Sequence, residues 1–177
     1  PTFKRKFIAD IYYVRDHAET AGDGIPTLVR SRFGLAGGAL GQQPPVPLVE
    51  GDEGFRVELG LDTLSSTGTA VDYTKAVIWS DPVNRTTPTN RGDGSPDGDF
   101  VHCRKAVPST ADPLANVVAV KLYVLARSIA PSPGHNDERL YTLGYKPDGT
   151  PNTLPAFNDN YRRHAFATSI RLNNVAG

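Results

Sequence analysis

A ten-residue stretch of acidic and glycine residues is the best candidate for binding a metal ion. It begins at residue 90 and reads NRGDGSPDGD. Calcium loops place carboxylate oxygens at alternate positions before a turn-forming glycine, and a further carboxylate beyond it. With the second glycine in that place, Asp93 and Asp97 fit and Asp99 adds a carboxylate. Arg91 takes an earlier ligand position and would repel the ion. The stretch is therefore a candidate calcium loop, with a plain surface turn as the alternative.

Histidine and cysteine form no catalytic or zinc-binding pattern. No two histidines have the H-x-x-H or H-x-x-x-H spacing of metal ligands on one helix. The side chains concerned are His17, His102, His135, His164 and the single cysteine, Cys103. A free cysteine is usually a small buried residue, so we interpret Cys103 as part of a half-buried strand. The sequence also lacks the glycine fingerprints of nucleophile elbows and phosphate loops. It therefore predicts no catalytic residues, no enzyme activity and no cofactor beyond the candidate calcium ion.

Charge and composition exclude two further classes of partner. Lys plus Arg and Asp plus Glu are equal at 19 each. A net charge of zero gives no support for binding nucleic acid through a broad basic surface, or for a polybasic membrane anchor. No apolar run approaches the roughly 20 residues of a membrane span. The sequence starts at Pro1 and contains no Met, so we expect that an N-terminal segment has been removed.

The elements that position these residues are predicted to be β-strands. The 17 Gly and 15 Pro residues favour many turns over long helices. Alternating or apolar runs predict about six strands, at residues 3–15, 25–33, 55–61, 117–127, 139–145 and 161–172. No stretch could serve as a βαβ crossover, so the sheet should be mainly antiparallel. The predicted fold class is mainly β or α+β, with an antiparallel sheet and long loops.

The connecting segments carry further predictions. Residues 34–41 read as a glycine-rich turn, and prolines stop residues 42–47 from continuing a sheet ladder. Residues 48–54 are short and acidic, and are predicted to form one helical turn. Residues 62–113 form a long irregular excursion, which includes an insertion at residues 64–110. The chain is predicted to be a single domain over residues 1–177.

The alternation also assigns side chains to the two faces of the sheet. Residues 117–127 are apolar on both faces and predict the central strand. Arg56 and Glu58 should lie on a solvated face. Residues 161–164 form a small basic cluster, which we interpret as a solvated strand end. The side chains predicted to point inward are Phe55, Val57, Leu59 and Leu61 in one strand, and Phe166, Thr168, Ile170 and Leu172 in another.

Five blocks of the sequence, taken in order, resemble the PilW-type minor pilins of type IV pili. The blocks are IYYVR at residues 11–15, GIPTL at 24–28, LVEG followed by FRVELGLD at 48–62, NVVAVKLYVLARS at 116–128 and YRRHAFATSIRLNN at 161–174. The fourth resembles the family pattern N-V-V-A-V-[RK]-V-x-L-L-x-R-S. There are three departures from the family: Asn173 replaces an arginine, residues 52–54 replace an aliphatic-acidic pair, and the insertion at 64–110 is longer.

The resemblance implies a pilin-like globular domain that assembles into a fibre. The removed segment would be a hydrophobic helix that anchors the subunit in the inner membrane, and its loss would partly bare an apolar face of the sheet. The implied function is that of a minor pilin, which helps to prime type IV pilus assembly and sits near the pilus tip in twitching motility, adhesion or DNA uptake. The implied location is the inner membrane, with the globular domain in the periplasm, and then the extracellular pilus tip.

The implied partners are other minor pilins, the major pilin and the adhesin at the pilus tip. Residues of the excursion should touch these neighbours, because an exposed aromatic beside a long loop suits a protein contact. The predicted partner-binding residues are Trp79, Asp93 and Asp97, although Trp79 could equally plug the core of the insertion. Two alternatives stay open: a J-like pseudopilin of type II secretion, and a β-sandwich adhesin module that binds calcium or carbohydrate.

Overall fold

The computed structural model describes residues 8–72, 80–86, 91–102 and 116–172. In these ranges it contains nine strands and one short helix. The strands are β1 (Asp10–Arg15), β2 (Thr27–Ala36), β3 (Ala39–Gln42), β4 (Val46–Glu50), β5 (Asp52–Leu61), β6 (Val117–Arg127), β7 (Tyr141–Tyr145), β8 (Pro151–Leu154) and β9 (Arg163–Arg171); the helix is α1 (Pro82–Thr86). The predicted mainly β fold with antiparallel sheets is confirmed. No helix in the described ranges has the length and apolar character needed to cross a membrane.

The chain divides into two compact units, each assembled from separated stretches of sequence. The first unit comprises Pro1–Phe55, Val124–Leu143 and Thr153–Phe166. The second comprises Arg56–Tyr123, Gly144–Asn152 and Ala167–Gly177. The single domain and the boundaries of the insertion at residues 64–110 stay predictions.

Four strands of the first unit form a sheet around β2. This strand pairs antiparallel with β1 on one side, and with β3 and β4 at its two ends. Thr27, Val29 and Ser31 are buried on one face of β2. Period-two alternation places Leu28 and Arg30 on the opposite face, which stays partly open. At β2 the sheet is therefore packed on one side only.

The turn between β2 and β3 is much shorter than predicted. Only Gly37 and Gly38 leave the ladder, with φ of 59° and 88°. Two-residue hairpin loops of this kind need positive φ at both central positions, which glycine adopts without a steric penalty. The predicted turn at residues 34–41 is wrong outside these two glycines, because the flanking residues pair as strands.

The helical turn predicted at residues 48–54 is also wrong, as is the prediction that residues 42–47 cannot join a sheet. Instead, β4 pairs with β2 through Pro47, at a register shift next to Val29. A proline is tolerated in an edge strand or beside a bulge, where its missing N–H is not needed. The acidic residues of this segment belong to β4 and β5, on either side of a tight turn at Gly51.

Gly51 is held between two backbone partners at that turn. Its N–H donates to the carbonyl oxygen of Pro26 (2.7 Å), and its own carbonyl accepts from the N–H of Arg127 (2.6 Å). Its φ is +80°, and a Cβ at this position would come within 2.5 Å of the Arg127 carbonyl oxygen. Gly51 therefore fixes where β5 begins.

Replacing Gly51 with alanine should lower the free energy of unfolding by more than about 1–2 kcal/mol, the cost of a left-handed non-glycine residue, because the added Cβ would also collide with the Arg127 carbonyl oxygen. Urea unfolding monitored by circular dichroism measures the change. Gly149→Ala is a matched control, because Gly149 also has positive φ but no atom lies within 4 Å of the added Cβ. Equal losses in the two variants would show that contact with Arg127 adds nothing to the backbone penalty.

A second sheet has the order β5-β6-β9, and β7 pairs with β8. As predicted, β6 spans residues 117–127 and is the central strand of its sheet. Its run of Val, Leu and Tyr fits a position between two neighbours. The buried apolar side chains of β6 are Val117, Val118, Ala119, Tyr123 and Leu125.

The solvated face predicted for β5 is wrong at Glu58. This side chain is 1% exposed, and its Oε1 accepts hydrogen bonds from the Tyr145 N–H (2.7 Å) and from Nε of Arg56 (3.1 Å). Gly144 makes room for the carboxylate, because a Cβ there would overlap Oε1. A carboxylate that accepts charge-assisted hydrogen bonds can lie inside a fold. Glu58 is therefore buried, although its place in the alternating pattern predicted a solvated side chain.

The described parts of the long excursion are tied to β5. Val101 pairs with Leu59 through two backbone hydrogen bonds, of 2.8 and 2.9 Å. Residues 63–71 form a small turn closed by hydrogen bonds from Ser65 to Thr69 and from Val71 to Thr63. The excursion therefore returns to the sheet at residue 101.

Candidate assembly surface

A buried arginine at the start of β9 gathers three carboxylates from distant parts of the first unit. The side chain of Arg163 is 0% exposed. Its Nη1 and Nη2 donate to the two carboxylate oxygens of Asp159 (2.6 and 2.7 Å). Nη1 also donates to Asp137 (3.2 Å), while Nε and Nη2 donate to Glu53 of β5. These four side chains, called the Arg163 cluster below, tie the first residue of β9 to β5 and to the loop before β7.

The cluster is closed by aromatic side chains. The Tyr141 hydroxyl donates to the carboxylate of Asp137 (2.8 Å), and the Phe157 ring lies 3.8 Å from the Arg163 guanidinium carbon. Burial raises the pKa of Asp137, but hydrogen bonds from Tyr141, Arg139 and Arg163 outweigh it and bring the pKa down to about 2. Asp137 is therefore ionised at neutral pH and depends on these donors to remain buried.

The interpretation of residues 161–164 as a solvated basic end is wrong at Arg163. Successive side chains of an extended chain point to opposite faces, so Arg162 is exposed while Arg163 is buried. A local pattern could not reveal the partner Glu53, which lies 110 residues earlier in the sequence. Asp159, four residues before Arg163, was the one nearby signal of an ion pair.

Beyond its first residue, β9 is exposed on both faces. Phe166 and Ile170 are 54% and 49% exposed, and every residue from His164 to Arg171 is exposed. The predicted inward orientation of Phe166, Thr168 and Ile170 is therefore wrong, since all three side chains are exposed. The ring of Phe166 lies next to the His164 ring, with the ring centroids 4.4 Å apart. The side chains on β9 thus form an open surface that contains two large apolar residues.

The residues predicted to touch partners or calcium lie in the excursion. Trp79 lies outside the described residues. The Asp97 carboxylate accepts the N–H groups of Thr63 (2.8 Å) and Leu64 (2.7 Å), so it organises the fold of its own loop. Asp93 accepts from the N–H of Ser95 at 2.8 Å. Asp99 is exposed.

The calcium loop and the partner contacts stay predictions. Burial raises the pKa of Asp62, and the nearby charges of Asp93 and Asp97 raise it further. The structure therefore brings two of the three predicted ligands near another carboxylate that the sequence did not single out. Within the described ranges, no three His, Cys, Asp or Glu side chains are arranged to hold a metal ion.

The described histidines occupy separate places. His17 contacts the carboxylate of Asp16 (2.8 Å), and Nδ1 of His102 contacts the Val57 carbonyl (2.9 Å). His135 and His164 lie in the first unit, in a loop and in β9. Cys103 and the strand predicted around it lie outside the described residues.

The comparisons with known proteins identify one family. The family model described as type IV pilus-assembly protein W, PilW, matches residues 11–174. No curated protein and no solved structure matched the chain. The match confirms the resemblance seen in the five sequence blocks, and it implies a role in type IV pilus assembly. PilW is a family of pilus-assembly proteins and not a known enzyme family. The chain therefore belongs to the PilW family of type IV pilus-assembly proteins.

Proposed function

We propose that this chain is the globular part of a minor pilin, which helps to prime type IV pilus assembly and takes a place near the pilus tip. The observation that supports this most directly is the family match across residues 11–174. In this role the chain needs no catalytic residue and no cofactor, because it acts through surfaces that other subunits cover.

The open strand β9 supports an assembly role. Large apolar side chains that lie together on one strand and remain half exposed are typical of surfaces that another protein element covers. Phe166 and Ile170 lie on the same face of β9, two alternations apart. The Arg163 cluster holds the first residue of this strand through Asp159 and Glu53.

The location and partners follow from this role. Before assembly the protein would sit in the inner membrane, with this domain in the periplasm, and afterwards in the extracellular pilus near its tip. Its partners would be other minor pilins, the major pilin and a tip adhesin. Family membership supports contact with pilus components in general.

Deletion of the gene in the source bacterium should lower the number of surface pili about tenfold or more, because a priming subunit acts before the fibre grows. Electron microscopy of negatively stained cells gives the count, and the gene restored on a plasmid is the control. Gold-labelled antibody against this domain should mark pilus ends and not the shaft. Normal pili in the deletion strain would overturn the proposal, and loss of protein secretion instead of pili would favour the type II pseudopilin.

A further inference from the structure

The open face of the β1-β2-β4 sheet carries an ordered set of side chains. Strand register places Val14, Leu28 and Val49 side by side in one row across the sheet. The next row places Arg30 between Tyr12 and Val46. The third row contains Asp10 and Arg32. These eight residues are called the Arg30 face below, and all belong to the first unit.

The Arg30 face is apolar and only partly covered. Tyr12, Val46 and Val49 are about half exposed, and Val14 and Leu28 are partly buried between them. The opposite face of β2 is buried. A sheet with one packed face normally turns polar side chains toward water on the other. Here, five of the eight open-face residues are Val, Leu or Tyr, which is the composition of a contact surface.

Arg30 carries an unmatched positive charge in the middle of this face. Nε of Arg30 is shielded from solvent and donates no hydrogen bond to any described residue. The nearby carboxylate, Asp10, is engaged by Arg32 through two hydrogen bonds of 2.8 and 3.0 Å. The face therefore has two guanidinium groups and one carboxylate, a net charge of +1. A shielded N–H donor without a partner costs free energy that a carboxylate from outside would recover.

We propose that the Arg30 face docks another pilus protein, through a segment whose apolar side chains surround one carboxylate that pairs with Arg30. A second copy of this chain fits poorly, because a two-fold interface centred on the face would bring Arg30 against Arg30. Residues 1–7 contain Lys4, Arg5 and Lys6 but no Asp or Glu, and residues 173–177 have no charged side chain, so neither stretch has an acidic side chain for Arg30. The inference rests on the proposed function, because it takes the partner from the pilus.

Site-specific photo-crosslinking in the source bacterium tests the surface in the full-length protein. The probe is p-benzoyl-phenylalanine, incorporated in place of Tyr12 or Val49. The same probe at Leu140, which is exposed in the first unit but lies outside the sheet, is the position control. Mass spectrometry of the products should identify a second pilus protein from positions 12 and 49 but not from 140. The crosslinked segment should contain Asp or Glu.

A charge change at Arg30 tests the pairing itself. Arg30→Glu should lower the crosslink yield at position 49 about tenfold or more, because the acid would face the partner's carboxylate. Lys146→Glu, an equal charge change at an exposed site outside the face, should leave the yield unchanged. Arg30→Gln gives a milder loss if the glutamate variant folds poorly. Reversing the charge of the partner's acid to Lys should restore the yield with Arg30→Glu.

The possible outcomes separate this inference from the proposed function. No crosslink at positions 12 and 49, or a crosslink to lipid, to the same chain or to a second copy, overturns the docking surface. If the crosslinks fail in this way but the deletion strain lacks pili, the minor-pilin proposal stands and only the docking surface is wrong. Normal pili in the deletion strain overturn both.

Discussion

Replacing Arg163 with methionine should lower the free energy of unfolding by about 3–5 kcal/mol, the usual cost of removing one partner from a buried ion pair. Methionine keeps an unbranched side chain of similar length but removes the donors to Asp159, Asp137 and Glu53. Asp137 is buried and would keep its charge after losing one of its three side-chain donors. Urea unfolding at pH 7 measures the loss.

The pH dependence distinguishes lost charge pairing from lost packing. Because Asp137 has a pKa lowered to about 2 in the folded protein, it adds stability above its unfolded pKa, and this contribution is lost as the pH falls toward 2. In Arg163→Met the pKa of Asp137 should rise, so the difference from wild type should shrink as the pH falls from about 5 toward 2, where the carboxylates protonate. The measurement is the free energy of unfolding of both proteins across that range.

Two variants control this prediction. Leu125→Ala removes a fully buried apolar side chain and should cost about 2–5 kcal/mol, with a difference from wild type that does not change with pH. Arg162→Met changes the exposed neighbour and should cost less than about 0.5 kcal/mol. A pH-independent loss in Arg163→Met, like that of Leu125→Ala, would mean that the cluster contributes packing and not charge pairing.

The sequence was sufficient for elements whose pattern is continuous and local. Residues 117–127 have apolar side chains on both faces, and this alone defined the bounds of β6 and its central position. The antiparallel arrangement followed from the absence of any crossover helix. The family resemblance rested on whole blocks of residues, and the match across residues 11–174 confirmed it.

Burial of charge and exposure of apolar residues could not be read from local alternation. Glu58 reads as a solvated position, but it is buried because it accepts a hydrogen bond from the N–H of Tyr145, 87 residues later. Phe166 reads as a core position, but it is exposed because no described element packs over β9. In both cases the exposure of the side chain depends on which residues pack over the strand. Those residues come from distant parts of the sequence, which a local pattern does not contain.

The Arg163 cluster lies at the start of the exposed strand β9. This strand is at the edge of its sheet, where unpaired backbone groups can pair with another chain. Arg163 is the first residue of β9, and its contacts with Glu53 and Asp159 hold that end in the interior. The proposed function assigns the rest of the strand to a contact with a neighbouring subunit. Destabilising the cluster should therefore impair assembly as well as folding.

Replacing Asp52 with asparagine should stabilise the protein at neutral pH by about 2–3 kcal/mol, because it removes a buried charge that lacks a full set of partners. Asp52 is 1% exposed. One carboxylate oxygen accepts the N–H of Gly54 (3.2 Å), while the other has no hydrogen-bond partner among the described residues. Burial raises the pKa of Asp52 to about 6, and the hydrogen bond from Gly54 lowers it by less. Asparagine has nearly the same shape and can still accept from Gly54.

The sign of the pH effect follows from this raised pKa. A carboxyl group with a folded pKa above its unfolded value adds stability that is fully present below the unfolded pKa, and loses it as the pH rises through about 6. The extra stability of Asp52→Asn over wild type should therefore be smallest at pH 4.5 and should grow as the pH rises through about 6 to 7.5. Urea titrations at intervals across this range measure the difference, and Asp99→Asn, at an exposed site, should show none. A constant difference between wild type and Asp52→Asn at all these pH values would mean that Asp52 stays ionised in the folded protein throughout. The buried site in β5 would then accommodate the charged carboxylate.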